Sequence, residues 1–280
     1  KDEFKQTLSN IPQDLLHVEA GIQSLNDNVL QACSRKGSNA KAIEGLKFLI
    51  CLNKFEVHAD LIAGLPEYTY SQLIKDTIEL MEIGPAEIQL ESLKLLPGTY
   101  FRANSGALGI EYSPLPPYEV LKTKHISYNQ LSKAMVLSKI LDFWYNDSRW
   151  QDVFKEIVFK DNSLVEKLIE YLWGTEYISK PLSLESKGIL LYRFCKEHAP
   201  QNSANIALKW AKIGLSLNKE PGEMFKQWSF KESPIENPVF DQTKVRNKYY
   251  YIEISNQRHW FIFNKEIERI APLTYYIQQL

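Results

Sequence analysis

Glu56-Val-His-Ala-Asp-Leu-Ile62 is the stretch from which the fold of this chain can be read. Glu56, His58 and Asp60 alternate with Val57, Ala59 and Leu61, and Gly64-Leu-Pro66 ends the run. A period of two marks a strand with one wet face and one dry face. Working outward, Leu15-Leu-His-Val-Glu-Ala20 leads into Gly21 and sets His17 and Glu19 on one face. Glu87-Ile-Gln-Leu-Glu-Ser-Leu93 does the same with Glu87, Gln89 and Glu91, before Pro97-Gly98. Between the strands lie helical patterns. Ser38 to Leu52 carries Ala42, Ile43, Leu46, Leu49 and Ile50 at helical spacing. A second helix, capped by Thr69 or Ser71, carries Leu73, Ile74, Thr77, Ile78 and Met81 and ends at Gly84-Pro85. Strands alternating with helices of this length imply parallel βαβ units with right-handed crossovers.

A parallel strand covered on both faces is a nearly continuous apolar run. These three alternate instead, so their polar faces are expected to line one concave surface, the interior of a barrel too open to be filled. The working end of such a fold lies where strands run out into βα loops. Here that end holds Gly21-Ile-Gln-Ser24, Asp60 to Pro66 and Leu95-Leu-Pro-Gly-Thr99. Residues 97–126 carry Pro97, Pro114, Pro116 and Pro117 and read as an irregular boundary with many apolar residues to bury. From Ser127 the pattern is helical, with Leu131, Met135, Ser138, Leu141 and Tyr145 on one stripe, and further helices are expected near 150–173, 183–199 and 203–215. Lys248 to Ile254 and Arg258 to Phe263 flank Ser255-Asn-Gln257 and read as a β-hairpin. The expected fold class is therefore α/β followed by a mostly α region: a partial β/α barrel over residues 1–110, a helical extension over 111–240, and a hairpin-containing tail over 241–280.

The chain has 280 residues, 44% apolar and 24% charged, with 33 Lys+Arg against 34 Asp+Glu and a net charge of −1. This is an ordinary globular balance. No apolar run approaches the ~20 residues of a membrane span. The lack of a basic excess argues against nucleic acid as a partner, and residues 221–280 hold 8 basic and 7 acidic side chains despite their aromatic richness. Cys33, Cys51 and Cys195 have no disulfide or metal-ligand spacing and read as free buried thiols in a cytoplasmic setting. The chain begins at Lys1 without Met or signal peptide and is expected to be part of a longer protein.

Three segments resemble a known family. Glu19-Ala-Gly-Ile-Gln-Ser24, Arg35, and Asp60-Leu-Ile-Ala-Gly-Leu-Pro-Glu-Tyr-Thr69 look like the fourth and fifth strands and loops of a radical SAM barrel, and Ile88 to Thr99 resembles the sixth. Leu115 to Val120 through Asp142-Phe-Trp-Tyr-Asn146 resembles the helical extension of B12-binding-type radical SAM proteins. That group includes Fe-S oxidoreductases and relatives of the anaerobic magnesium-protoporphyrin monomethyl ester cyclase. Gln23 and Arg35 are 12 residues apart, and Arg35 and Asp60 are 25 apart. The resemblance implies that Gln23 and Arg35 hold the amino-acid end of S-adenosylmethionine, that Asp60 bonds its ribose, that Ile62 packs near adenine, and that Glu19 flanks the pocket. Physical chemistry agrees: guanidinium pairs with carboxylate in two parallel bonds, and a carboxylate accepts from vicinal hydroxyls. The resemblance also implies a 4Fe-4S cluster and cobalamin in the parent protein. This sequence has no CxxxCxxC to hold the cluster. The expectation is a half-barrel whose partner is a missing N-terminal half, inactive alone, on an unknown substrate. The alternative is a non-catalytic ligand- or protein-binding module derived from the same fold.

The catalytic residues are not identified by this reading, and no metal site is assigned. His17 and His58 share the polar face as hydrogen-bonded or solvent-lining histidines. Glu56, Glu87 and Glu91 line the same wet surface. The Leu15–Ala20 strand should present an open edge, covered by residues 1–14, by the C-terminal helices, or by a second copy in a homodimer.

Overall fold

The computed structural model describes residues 2–229, 247–264 and 274–280. The chain divides into two compact units, Lys1–Lys180 and Pro181–Leu280.

In the first unit α1 (Asp2–Asn10) precedes β1 (His17–Gln23), α2 (Asp27–Ala32), α3 (Asn39–Leu52), β2 (Glu56–Ala63), α4 (Tyr70–Ile83) and β3 (Glu87–Ser92). The strands form one parallel sheet in the order β1-β2-β3. Its dry face is built by Val57, Ala59, Leu61, Ala63, Ile88 and Leu90, all buried. The wet face carries the polar residues in register: His17 opposite Glu56, Glu19 opposite His58, His58 opposite Glu87, and Asp60 opposite Gln89. Three parallel strands with a polar face agree with the expected α/β class. Among the described residues they do not close into a barrel.

Helix ends follow local chemistry. Thr69, rather than Ser71, caps α4 in a reciprocal box with Gln72, and Gly84 ends the helix in the left-handed region at φ 87°. Helix α1 lies along α3: Lys5 pairs with Glu44 at 3.3 Å, and Lys54 Nζ donates to the carbonyls of Ser9 and Ile11. Among the described residues no strand pairs with the outer edge of β1, and residues 2–10 form a helix rather than a covering strand.

Residues 97–126 are more ordered than a boundary. Short helices α5 (Tyr100–Ala103) and α6 (Ser105–Leu108) lead to a small antiparallel pair, β4 (Glu111–Tyr112) and β5 (Val120–Lys122). Val120 N donates to Leu93 O and Leu95 N to Tyr118 O, tying this segment to the end of β3. Next come α7 (Tyr128–Ile140), a π-helical turn (Leu141–Tyr145), α8 (Gln151–Lys160) and α9 (Ser163–Leu172). Tyr145 OH donates to Pro85 O at 2.8 Å, Gln151 Nε2 to Ala86 O at 2.9 Å, and Ile88 N to Asn146 Oδ1 at 2.9 Å. These bonds bind the first helices of the extension to β3 and to the loop that leads into it.

The second unit holds α10 (Leu184–His198), α11 (Ser203–Lys212) and an antiparallel sheet in the order β6-β7-β8-β9. These strands are β6 (Lys226–Gln227), β7 (Asn247–Ile254), β8 (Gln257–Asn264) and β9 (Thr274–Gln279). The expected hairpin is β7–β8. Its two-residue turn, Ser255-Asn256, has both φ values positive, as a primed turn requires. Residues 241–246 and 265–273 of the expected tail lie outside the described residues. The thiols form no disulfide. Only Cys195 is buried, its thiol pushed up to about 12 by desolvation; Cys33 is half-buried and Cys51 is exposed. No helix among the described residues is long and apolar enough to cross a membrane.

Candidate functional site

At the carboxyl end of the sheet β1 leaves its ladder. Its register with β2 shifts between Ala20 and Gln23, and Gln23 sits at φ 69°. The turn closes with Ser24 N donating to Ile22 O at 2.9 Å. Ser24 is fully buried, and its Oγ donates to Asp76 Oδ2 at 2.8 Å. Leu25 N reaches the same oxygen at 2.7 Å and Tyr68 OH at 2.6 Å. One carboxylate oxygen on α4 thus takes three donors and fixes the loop that carries Gln23. Burial, followed by the Asp76 charge, holds the Tyr68 phenol far above its usual pKa, so it remains a donor. Asn26 caps α2 by accepting from Asn28 N, and Asn39 N donates to Asp27 Oδ1 at 2.8 Å.

Two nitrogen-bearing side chains meet over Gly21. A methyl group at Gly21 would lie 3.0 Å from Gln23 Nε2 and 4.0 Å from Arg35 Nη1. Arg35 arrives from the loop after α2, where its N–H donates to Leu30 O and Ser34 adopts φ 56°. It is exposed, and its charge partly offsets the burial that raises the Cys33 thiol to about 11. The space above Gly21 is bounded by an amide and a guanidinium, a donor set that suits a carboxylate.

One strand away, Asp60 follows Ala59, the register partner of Ala20. Its Oδ1 is buried and accepts no hydrogen bond. Burial raises its pKa above the ordinary carboxylate value, the Glu19 charge adds to this, and His58 acts in the opposite direction. Ile62 is half-buried two residues further on the same face, and Glu19 is exposed on β1. Asp60 is therefore an acceptor without a donor, flanked by an apolar side chain. The site as a whole suits a ligand that has a carboxylate at one end and hydroxyl donors at the other.

The opposite end of the same face holds a second group. His17 Nδ1 lies 3.2 Å from Glu56 Oε2, and His58 Nε2 lies 3.8 Å from Glu56 Oε1. The two imidazoles meet edge to face at 6.1 Å between centroids. The three side chains come from the first turn of pairing between β1 and β2, a proximity that sequence spacing does not reveal.

Gln23, Arg35, Asp60, Ile62 and Glu19 all belong to this sheet end or its loops, with Gln23 and Arg35 converging directly. The anchor Asp76, with Ser24 and Tyr68, lies outside the sequence-derived set. A signal was present: Asp76 is an acid inside the apolar stripe of Leu73, Ile74, Thr77 and Leu80.

Residues 107–267 match a family model described as "Protein of unknown function (DUF4080)". The site residues named above all precede that match. A curated relative, the heme chaperone HemW of Haemophilus influenzae (strain ATCC 51907 / DSM 11121 / KW20 / Rd), is 32% identical over 89 residues. That alignment takes in 31% of this chain and 23% of HemW, so the chain spans about a quarter of the curated relative it matches. Among solved structures, the archaeal Methanocaldococcus infernus Elp3 with an N-terminus deletion (1–46) aligns over 99% of this chain and 53% of its own, at 12% identity and a TM-score of 0.37.

Proposed function

The chain belongs to the DUF4080 family, and on that premise we propose that the sheet preceding the family match binds S-adenosylmethionine within a radical SAM-type enzyme. The observation that carries this reading is the unpartnered, buried Oδ1 of Asp60 on the face where Gln23 and Arg35 converge over Gly21. Gln23 and Arg35 take the carboxylate of the amino-acid end, Asp60 takes the ribose hydroxyls, Ile62 packs against adenine, and Glu19 flanks the pocket. The local likeness to HemW supports a radical SAM-related segment. When bound beside a reduced 4Fe-4S cluster, S-adenosylmethionine supplies a carbon-centred radical for hydrogen abstraction.

These residues bind and orient the ligand. The chain has no CxxxCxxC, so they do not hold the cluster, and the segment on its own is assigned ligand binding without radical generation. The finer version, a cobalamin-using and cyclase-like parent acting with an N-terminal half-barrel, rests on the resemblance of residues 115–146. A stand-alone binding module is the second reading, favoured by the lack of cluster ligands.

Calorimetric titration of the purified chain with S-adenosylmethionine tests the proposal. Binding should be saturable, and Asp60→Ala and Arg35→Ala should each weaken it about tenfold or more, the scale of a lost hydrogen bond to a charged group. No binding by the unaltered chain, or binding by both variants as tight as by the unaltered chain, would overturn it.

A further inference from the structure

We propose that His17, Glu56 and His58 bind one divalent transition-metal ion of the zinc class, with an open fourth position, at the amino-terminal end of the sheet. A donor atom from each of these residues lies within 4.8 Å of the others, the one such group of His, Cys, Asp or Glu among the described residues. Two imidazoles and a carboxylate match the preference of zinc-like ions. Bonds of about 2.0–2.1 Å in a tetrahedron place donor atoms about 3.3 Å apart. His17 Nδ1 to Glu56 Oε2 is already 3.2 Å, His58 Nε2 reaches the other carboxylate oxygen, Oε1, at 3.8 Å, and one donor from each residue lies within 4.8 Å of the others, so an ion would draw the three side chains together.

A second observation points to a cation. His58 Nε2 is buried and has no hydrogen-bond partner. Its other nitrogen, Nδ1, faces Glu87 Oε2 at 3.7 Å and Gln89 Nε2 at 3.5 Å. Metal binding selects the tautomer with its proton on Nδ1, facing Glu87, in place of the one that accepts from Gln89 Nε2. Nε2 itself faces Glu56 Oε1 at 3.8 Å, beside the His17 ring. The surroundings are acidic as well: Glu19 is the register partner of His58, and Glu87 lies on its other side. A cation held between Nε2 and Glu56 Oε1 gives the buried nitrogen the partner it lacks.

The ion would clamp β1 to β2 where β1 starts, on the edge that no described strand covers. Three protein ligands leave a position for water or for a further donor. The site is separate from the Gln23–Arg35–Asp60 group, and neither reading depends on the other.

The experiment is zinc titration by calorimetry on the metal-stripped chain, with cobalt(II) absorption as the geometric readout. One equivalent should bind near neutral pH, and cobalt should give the intense visible bands of a four-coordinate site. His17→Ala, Glu56→Gln and His58→Ala should each weaken binding about tenfold or more, whereas His125→Ala, which alters a separate His–Glu pair, should not. His17 is mostly exposed, so His17→Ala should keep the metal-free melting temperature and still lose the site. No binding, weak six-coordinate cobalt bands, or affinity in His17→Ala and Glu56→Gln unchanged from the unaltered chain would overturn the proposal and leave an ordinary His–carboxylate cluster.

Discussion

Ser24 and Asp76, 52 residues apart, meet at 2.8 Å in the interior and hold the β1 loop against α4. Leu25 N and Tyr68 OH complete the set on the same oxygen. Asp76→Ala leaves three buried donors unpaired. Since each unsatisfied group costs about 1–3 kcal/mol, the variant should lose at least about 2 kcal/mol in urea unfolding. Asp76→Asn keeps an acceptor oxygen and should lose less. A loss below about 0.5 kcal/mol for the alanine variant would show that the loop is held by other means.

Gly21 and Gly222 separate two effects of adding a methyl group. At Gly21 the new carbon meets the flexible ends of Gln23 and Arg35, which can swing away. Gly21→Ala should therefore leave the melting temperature nearly unchanged while filling the proposed ligand space, and S-adenosylmethionine binding should fall. At Gly222 the methyl would lie 2.3 Å from the backbone oxygen of Leu217, so the chain itself must shift. Gly222→Ala should cost about 1–3 kcal/mol. Unchanged ligand binding in Gly21→Ala would remove Gly21 from the pocket.

Asp60 gives the first unit a pH signature. Its folded pKa is raised, so between the ordinary carboxylate value and the raised one the folded state binds more protons than the unfolded state. Stability then falls as pH rises through that window, and the deficit persists above it. Asp60→Asn should abolish this slope and stabilise the chain at neutral pH. Glu19→Gln, which removes the second cause of the shift, should flatten the slope in part. Urea midpoints measured between about pH 4 and pH 8 decide the matter. A wild-type slope that survives in Asp60→Asn would assign it to another group. Ligand hydroxyls donate best to the ionised carboxylate, so affinity should weaken as pH falls through the same window.

Some of this architecture is legible in the sequence and some is not, for physical reasons. The alternation of Glu56, His58 and Asp60 with Val57, Ala59 and Leu61 shows directly because a strand has period two and this sheet has only one dry face. Thr69 with Gln72 and Ser127 with Gln130 show because a capping box is local. Asp76 stands out as an acid in the apolar stripe of α4, but its partners are hidden because they are set by how α4 lies on the sheet. The His17–Glu56–His58 group depends on the register between two strands, and the positive φ of Gln23 depends on a bulge. The π turn at Leu141–Tyr145 carries no glycine or proline to announce it, and the helices that follow join the first unit through side-chain bonds to β3.

Asn146 shows what that turn achieves. Asn146 N donates to Leu141 O at 2.8 Å, the wider i to i−5 closure, which swings the side chain toward the sheet. Its Oδ1 then accepts from Ile88 N at 2.9 Å, and its Nδ2 donates to Ile88 O at 3.1 Å. A carboxamide has the same donor and acceptor as a peptide unit, so Asn146 takes the place of a neighbouring strand on β3 at this point. Asn146→Ala should leave both backbone groups of Ile88 without that partner and cost about 1–3 kcal/mol. Asn146→Asp keeps the acceptor and loses the donor, so it should fall between the two. Hydrogen exchange separates this role from simple packing: the Ile88 amide should exchange faster in Asn146→Ala relative to Leu93, whose N–H donates to Ala63 O of β2 and does not involve Asn146. Equal acceleration at both amides would mean that the variant loosens the whole unit and that Asn146 does not specifically protect the β3 edge.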